Sequence, residues 1–393
     1  MIGKSLFAFN VSPRIRFGLG STSTSQNIDE IINCLGTKIM VVTDKGLTDL
    51  RLYESMLSLI EPKVNIIIVF DDIEPDPSIA SLAKAIKLGT EKSITGVLGF
   101  GGGSSMDVAK LVSLVIGSGE SIDDIWGVEN VKGPRLPLCL VPTTAGTGSE
   151  VTPVSIISIE NNEKRGVVSQ IILPDYAILD PYLTLGLPGS TTAATGVDAM
   201  VHAIEAFTSK NSNNNYISKF LAKEALVLLS RSIRSAVKVR SELNSRSEML
   251  LGSALAGIAF ANSPVAAVHA LAYPLGGTFK VPHGLSNSLV LPEILKFNSD
   301  VQETADAYAE LSKLVFPNLP ATGSTRKDAL RFALQLKDLA SELGLPVRLR
   351  DINIPEQACE QLAKDAMKQT RLLVNNPREV LESDALTIYR NSW

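Results

Sequence analysis

The chain has 393 residues, of which 45% are hydrophobic and 20% are charged, and its formal net charge is −4. This composition argues against disorder, and the small negative charge argues against nucleic acid or an anionic membrane surface as an electrostatic partner. Because single domains usually have roughly 100–200 residues, we expect two packed domains.

Cysteine usage and the apolar segments indicate a cytoplasmic protein. Cys34, Cys139 and Cys359 are odd in number, scattered and without CxxC spacing, so we expect neither a disulfide framework nor a thiolate zinc site. The apolar patch at residues 6–9 is shorter than the roughly 7–15 residues of a signal-peptide core. Since no uninterrupted apolar run approaches the roughly 18 residues of a membrane span, we expect no membrane partner.

The first half of the chain alternates short β-branched runs with helical stretches. We predict buried strands at Lys38–Thr43, Val64–Phe70, Ile94–Phe100 and Leu138–Val141. Helical spacing of apolar residues predicts intervening helices at Leu47–Leu59, Ile79–Leu88 and Met106–Val115. This alternation favours a mostly parallel α/β sheet, in which ligands bind beyond the carboxyl ends of the strands.

The second half is dominated by helical periodicity. A stretch punctuated by proline and glycine, Pro174–Gly189, separates it from the β-rich half. Beyond it, apolar spacing predicts helices at Ile217–Val237, Glu248–Phe260 and Arg326–Leu343. We therefore expect an α/β domain over residues 1–185 and an all-α domain over residues 186–393.

A glycine-rich turn, GGGSSMD at 101–107, joins a predicted strand to a predicted helix. Glycines let the backbone approach a phosphate, and the N–H groups at a helix start favour an anion, so the turn is a candidate pyrophosphate site. The motif is neither GxGxxG nor a Walker A sequence. The alternative is a plain tight turn in which Ser104 and Asp107 form a capping box.

Two further polar features follow predicted strands. The turn PTTAGTGSE at 142–150 concentrates hydroxyls and glycines that could cradle phosphates or ribose, or could only cap a helix and satisfy local backbone donors. Asp44 ends the first predicted strand, where a carboxylate can accept hydrogen bonds from ribose hydroxyls. The alternative for Asp44 is an ordinary exposed residue at a strand end.

The chain contains three histidines, and their setting is its most informative feature. Asp198 and His202 are four residues apart on a predicted helix, so their side chains share one face and could both bind one metal ion. His269 lies in another helical stretch, and His283 lies in a Pro-His-Gly turn. Three imidazoles and a carboxylate suit Fe²⁺ or Zn²⁺, whereas the alternative is that each histidine is a hydrogen-bonded core or surface residue.

Five segments, in order along the chain, carry a family resemblance. They are GGGSSMDVAK at 101–110, PTTAGTGSEVT at 142–152, ATGVDAMVHAIEAF at 194–207, AVHALAYPLGG at 267–277 and PHGLSNSLVLP at 282–292. Together they resemble the iron-containing, or group III, alcohol dehydrogenases. The resemblance implies an N-terminal Rossmann-like α/β domain, a C-terminal all-α metal domain, a cleft between them and a homodimer, in the fold shared with dehydroquinate synthase.

The resemblance also implies an NAD site. The residues that would line the pyrophosphate are Gly102, Gly103, Ser104 and Asp107. Those that would line the adenosine or nicotinamide half are Thr143, Thr144, Thr147 and Ser149, with Lys164 and Leu183 nearby. Asp44 matches the acid that selects the cofactor in the family, and a carboxylate there would repel the 2′-phosphate of NADP.

The family's metal ligands fall on Asp198, His202, His269 and His283, which implies Fe²⁺ with Zn²⁺ as a substitute. Many relatives have a further histidine, often assigned to proton transfer, where this chain has Tyr273. Because all three histidines are then committed to the metal, we expect the proton to leave through water, a cofactor ribose hydroxyl or Tyr273. The alternative is that Tyr273 only packs its helix.

Positions that line the substrate pocket of relatives correspond to Val154, Phe260 and Leu372, all of which are apolar. The chain is therefore expected to transfer a hydride between a small to medium primary alcohol or aldehyde and NAD(H), because a dry apolar pocket leaves extra hydroxyls unpaired. Alternatives on the same fold are a polyol or hydroxy-acid dehydrogenase, a maleylacetate reductase, a dehydroquinate synthase or a catalytically silent structural protein.

Overall fold

The computed structural model describes residues 6–10, 13–159 and 164–393. This part of the chain forms two compact units, one comprising the described residues from 13 to 186 and the other residues 6–10 with Leu187–Trp393. The sequence places residues 6–10 in the α/β domain, whereas hydrogen bonds hold them to the other unit. The backbone N–H of Ala8 donates to Asn213 Oδ1 at 2.8 Å, and that of Asn10 donates to Asn262 Oδ1 at 2.6 Å.

The first unit contains two sheets. Its strands are β1 (Arg14–Phe17), β2 (Lys38–Val42), β3 (Ile66–Phe70), β4 (Gly96–Gly101), β5 (Gly127–Val128), β6 (Leu138–Pro142), β7 (Val154–Ser158), β8 (Lys164–Val168) and β9 (Tyr176–Leu179). Six of them form the predicted parallel sheet, in the order β1-β9-β6-β4-β2-β3. The other three form a small mixed sheet, in the order β5-β8-β7.

Helices cover the large sheet because its central strands carry apolar side chains on both faces. Along β2, Ile39 and Val41 belong to one core cluster, whereas Met40 and Val42 belong to the other. The helices of this unit are α1 (Ser25–Leu35), α2 (Lys45–Asp49), α3 (Glu54–Ile60), α4 (Ile79–Glu91) and α5 (Gly103–Ser118). Burial on both faces is typical of parallel strands in α/β proteins and explains the nearly continuous apolar runs.

The sequence prediction was wrong in two places in this unit. The helix predicted at Leu47–Leu59 is two helices, α2 and α3, because Arg51 between them adopts a left-handed backbone with φ of 54°. Strands β1, β5, β7, β8 and β9 were not predicted, and β9 lies inside Pro174–Gly189, the stretch predicted to separate the two halves.

All regular secondary structure among the described residues of the second unit is helical. Its helices are α6 (Gly189–Thr208), α7 (Tyr216–Lys238), α8 (Leu243–Asn262), α9 (Ala267–Phe279), α10 (His283–Asn298), α11 (Gln302–Val315), α12 (Thr325–Glu342), α13 (Ala358–Ala366), α14 (Thr370–Leu373) and α15 (Glu382–Ser392). Helix α10 packs against both α6 and α9. No single described helix has the length and apolarity of a membrane span, and α8 with α9 reaches them only as a pair bent by 108°.

Candidate functional site

Helix α6 carries two of the predicted metal ligands on one buried face. Asp198 and His202 lie one helical turn apart and are only 2% and 4% exposed. Small and apolar residues surround them on this helix, so the carboxylate and the imidazole are desolvated. A buried carboxylate requires partners, and the neighbouring helices supply them.

Helices α9 and α10 bring the other two ligands to the same point. His269 lies in α9, and His283 is the first residue of α10 rather than part of a turn. One ligand atom from each of Asp198, His202, His269 and His283 lies within 4.8 Å of the other three. The structure therefore brings together all four residues that the sequence singled out.

The cluster presents converging acceptor atoms. The amide nitrogen of Asn287 lies 2.6 Å from Asp198 Oδ1, 3.2 Å from His269 Nε2 and 3.3 Å from His283 Nε2. The amide oxygen of Asn287 is buried without a hydrogen-bond partner among the described residues. Lone pairs of a carboxylate and of imidazole nitrogens that surround one positively polarised group are the donor set that a divalent cation requires.

The electrostatics of the cluster keep Asp198 ionised. Burial by itself raises the pKa of this carboxyl, but the three imidazoles and the hydrogen bond from Asn287 outweigh burial and hold the pKa below its ordinary value. The carboxylate is therefore the charged form that a metal ligand must be.

Aromatic rings border the cluster. The ring of Phe260 stacks on His202, with centroids 4.5 Å apart and an interplanar angle of 24°. His202 also stacks on His269 at 4.7 Å, and the ring of Tyr273 lies 6.1 Å from that of His283. Phe260 and Tyr273 are both half-buried, so the cluster has an apolar aromatic border.

The glycine-rich turn connects β4 to α5 as predicted, but the capping-box alternative is wrong. Gly102 is the N-cap of α5 and provides no side chain, so the first N–H groups of the helix are not capped by it. The Asp107 carboxylate points away from the helix start, because Oδ1 accepts from Ser149 Oγ at 2.6 Å and Oδ2 accepts from the N–H of Ile156 at 2.8 Å. The helix start therefore keeps the polarity that attracts an anion.

The second turn lies beside the first one. The N–H of Thr143 donates to the carbonyl of Gly101 at 2.9 Å. A Cβ at Gly102 would lie 3.7 Å from the methyl group of Thr144, and one at Gly103 would lie 2.8 Å from that of Thr147. The adjacent parallel strands β4 and β6 therefore deliver both turns to the same edge of the sheet.

A buried lysine connects α5, which follows the first turn, to the second turn. Lys110 on α5 is fully buried, and its Nζ donates to Ser149 Oγ at 2.8 Å and to the carbonyl of Val154 at 2.6 Å. Burial lowers its pKa to about 8, although Asp107 and Glu150 favour the charged form. Burial likewise raises the pKa of Glu150 to about 7, and Glu150 Oε1 has no hydrogen-bond partner among the described residues.

Asp44 follows β2, the neighbour of β4 in the sheet, and it caps α2 by accepting from the N–H of Leu47 at 3.1 Å. The strand order reverses between β2 and β4, since the chain runs from β2 to β3 on one side and returns to β4 on the other. Doubly wound sheets bind ligands beyond such a reversal point. Asp44 and the glycine-rich turn flank it here.

The remaining predicted residues lie in diverse surroundings. Ser104 lies in the first turn of α5, and Lys164 on β8 forms an ion pair with Asp76 at 2.6 Å. Leu183 belongs to a core cluster of the first unit, and Leu372 on α14 is only 1% exposed. Val154, which begins β7, is half-buried.

Sequence reasoning missed several polar residues that contact the predicted ones. Glu205 and Asn287 contact the metal cluster, and Lys110 contacts the turns. Helical spacing contained a signal for two of them, since Glu205 lies three residues after His202 and Asn287 four residues after His283.

Two family models match successive parts of the chain. The model described as iron-containing alcohol dehydrogenase matches residues 12–181, and the model of the C-terminal part of the Fe-containing alcohol dehydrogenase family matches residues 192–393. Together the two matches cover nearly the whole chain.

Characterised relatives and a solved structure agree with these matches. Long-chain-alcohol dehydrogenase 1 of Geobacillus thermodenitrificans is 37% identical over 380 residues, which cover 95% of this chain and 94% of that protein. The 1,3-propanediol dehydrogenase of Klebsiella pneumoniae is 32% identical over 362 residues, covering 91% and 92%. The structure of an alcohol dehydrogenase from Oenococcus oeni is 31% identical with a TM-score of 0.92, covering 99% of this chain and 100% of that one.

Proposed function

This chain belongs to the iron-containing alcohol dehydrogenase family, and from that membership we propose that it uses a divalent metal and NAD to interconvert primary alcohols and aldehydes. The observation that carries the proposal is the convergence of four ligand atoms, from Asp198, His202, His269 and His283, within 4.8 Å of one another.

The four residues fit a metal by their chemistry. Asp198 is held ionised, and imidazole nitrogens with a carboxylate oxygen are ligands of both Fe²⁺ and Zn²⁺. We propose that these four side chains hold the ion, with Fe²⁺ as the family name suggests and Zn²⁺ as a substitute. When bound, a divalent ion acts as a Lewis acid that lowers the pKa of an alcohol oxygen.

The proton then needs a carrier other than a histidine, since all three imidazoles are assigned to the metal. Tyr273 is our candidate for a protein group in that relay, because its ring lies 6.1 Å from that of His283 and is half-buried. A tyrosine hydroxyl can both donate and accept a proton within a hydrogen-bonded chain that includes water or a ribose hydroxyl.

For the dinucleotide we propose the sheet edge formed by Asp44 and the two turns. The uncapped start of α5, with glycine at 102 and 103, supports binding of the pyrophosphate. The hydroxyls of Thr143, Thr144 and Thr147 support binding of the adjoining parts of the cofactor. A carboxylate at Asp44 favours the free ribose hydroxyls of NAD over the phosphorylated ribose of NADP.

The substrates that we propose are small to medium primary alcohols and their aldehydes. Phe260, stacked on His202, gives the ligand cluster an apolar neighbour that offers no partner to a second hydroxyl group. The name of one relative, a long-chain-alcohol dehydrogenase, supports this substrate class, whereas the name of another, a 1,3-propanediol dehydrogenase, refers to a diol, so the test includes 1,3-propanediol.

The test is NADH formation by chelator-treated protein under oxygen-free conditions. Ethanol, 1-butanol, 1,3-propanediol and glycerol are each mixed with NAD or NADP, with and without added Fe²⁺ or Zn²⁺. We expect turnover of 1-butanol with NAD only after metal is restored. Absence of turnover with every metal would contradict the proposed activity, and equal rates on glycerol and 1-butanol would contradict the proposed substrate class.

We also propose a cellular compartment and an oligomeric state for this protein. The described cysteines are all free thiols, which supports a reducing compartment such as the cytoplasm. A homodimer is proposed from the family resemblance. Sedimentation of the purified protein measures its oligomeric state.

A further inference from the structure

Glu205 connects two of the helices that carry the ligand cluster. It lies on α6, three residues after His202, and is only 4% exposed. Its Oε2 lies 2.6 Å from His269 Nδ1, and its Oε1 accepts a hydrogen bond from the backbone N–H of Val268 at 2.7 Å. We propose that Glu205 is a positioning residue that fixes the tautomer and the orientation of His269, an inference that rests on the proposed metal site.

The tautomer follows from what a carboxylate can do. Glu205 already accepts a hydrogen bond from the backbone N–H of Val268, and a carboxylate that accepts at both oxygens assigns the proton of the short contact with His269 to Nδ1. In a neutral imidazole Nε2 then carries the lone pair. The amide nitrogen of Asn287, a donor, lies 3.2 Å from that Nε2, which agrees with this assignment.

The orientation follows from the second carboxylate oxygen. Val268 is the second residue of α9, and its N–H belongs to the first helical turn, where no bond within the helix is available. Ala266, the N-cap of α9, provides no side-chain cap. Glu205 therefore holds the start of α9 and the ring of His269 with one carboxylate.

This arrangement holds His269 in the orientation and tautomer that can bind a metal before any ion binds. A carboxylate hydrogen-bonded to Nδ1 also makes Nε2 a more basic ligand. Removal of such a partner weakens metal binding by roughly 10–100-fold in metalloenzymes. Glutamine cannot replace the carboxylate, since one of its two polar ends is an NH₂ group that would face either Val268 N–H or His269 Nδ1–H.

The experiment compares Zn²⁺ binding to chelator-treated wild type, Glu205→Gln and Glu205→Asp, measured in competition with a chromophoric chelator. We expect Glu205→Gln to bind Zn²⁺ roughly 10–100-fold more weakly and Glu205→Asp to fall between it and wild type, because aspartate keeps the charge with a shorter reach. Asp180→Asn is the matched control, since Asp180 is a buried carboxylate of the first unit that accepts from Gly20 and Thr22. It should change thermal stability and leave Zn²⁺ affinity within twofold of wild type.

A second readout does not involve the metal. In metal-free protein with ¹⁵N-labelled histidine, at about pH 8.5 where neutral imidazole predominates in model compounds, ring nitrogen shifts report the tautomer of each of the three side chains. We expect His269 to be the Nδ1–H form in wild type and to lose that preference in Glu205→Gln. A Glu205→Gln variant with wild-type Zn²⁺ affinity and an unchanged tautomer would overturn the role of Glu205. Failure of the wild type itself to bind Zn²⁺ would instead overturn the metal site.

Discussion

A Cβ atom at Gly284 would lie 2.3 Å from the carbonyl oxygen of Ala194, so only glycine allows α10 to approach α6 this closely. The same atom would lie 3.1 Å from the Cβ of Asp198. Gly284 follows His283 directly, and His283 Nε2 lies 3.7 Å from Asp198 Oδ1. The missing side chain at position 284 therefore sets the distance between two proposed ligands on different helices.

We predict that Gly284→Ala separates α10 from α6 and disrupts the ligand cluster. Overpacking of this kind costs about 1–3 kcal/mol of unfolding free energy, and His283 should move away from Asp198. Metal content after purification and the melting temperature of the metal-free protein measure both effects. Gly186→Ala is the control, since a Cβ there meets nothing within 4 Å. Full metal content with a wild-type melting temperature in Gly284→Ala would contradict this role.

The proposed pyrophosphate site can be tested with a substitution that the local backbone and packing accommodate. Gly102 has φ of −76°, which any residue adopts, and a Cβ there would make an ordinary contact of 3.7 Å with Thr144. Gly102→Ala should therefore keep the wild-type melting temperature and metal content. Because a phosphate would need to approach this backbone, we predict that its KM for NAD rises by about tenfold. An unchanged KM would place the dinucleotide elsewhere.

Glu150 provides a prediction about pH. Its pKa in the folded protein is raised from 4.5 to about 7 by burial, so the folded state binds the proton more tightly than the unfolded state does. Stability from this group is fully present below about pH 4.5 and is lost as the pH rises through 7, by an amount on the order of 3 kcal/mol.

We therefore predict that Glu150→Gln, which is neutral at every pH, melts a few degrees higher than wild type at pH 8 and nearly level with it at pH 5. Glu61→Gln, at an exposed glutamate, is the control. A Glu150→Gln difference that does not change with pH would show that burial does not raise the pKa of Glu150.

The proposed relay through Tyr273 predicts a kinetic effect. Tyr273→Phe removes the hydroxyl and keeps the ring beside His283, so turnover should fall on the order of tenfold or more and its pH profile should flatten. Metal content should remain that of wild type. Tyr216→Phe, at a tyrosine that is 55% exposed, is the control. An unchanged pH profile in Tyr273→Phe would remove Tyr273 from the relay.

The parts of the fold that local patterns specify were predictable from the sequence. Strands β2, β4 and β6 are nearly continuous apolar runs because helices cover both faces of their sheet, and the long helices α7, α8 and α12 repeat their apolar residues at helical spacing. The four proposed ligands were identified from short segments that resemble motifs of the family, since each of these segments is contiguous in sequence.

The missed features depend on contacts between residues far apart in sequence. The spacing of Glu205 from His202 indicates that the two share a helix face, but it does not indicate that Glu205 reaches Val268 and His269, because that contact exists only once α6 and α9 have packed. Asp107 was predicted to line the pyrophosphate, with a local capping box as the alternative, but its carboxylate bonds to Ser149 and Ile156. Local spacing predicts neither outcome.

The metal content per chain of wild type and His269→Ala, both purified without added metal, tests the central claim most directly. His269 is 2% exposed and lies among the other three proposed ligands, so its replacement by alanine removes one of the four converging ligand atoms. We predict about one equivalent of iron or zinc in the wild type and none in the variant, as expected when one of four ligands is removed. A His269→Ala variant that retains its metal at full stoichiometry would contradict the proposed site.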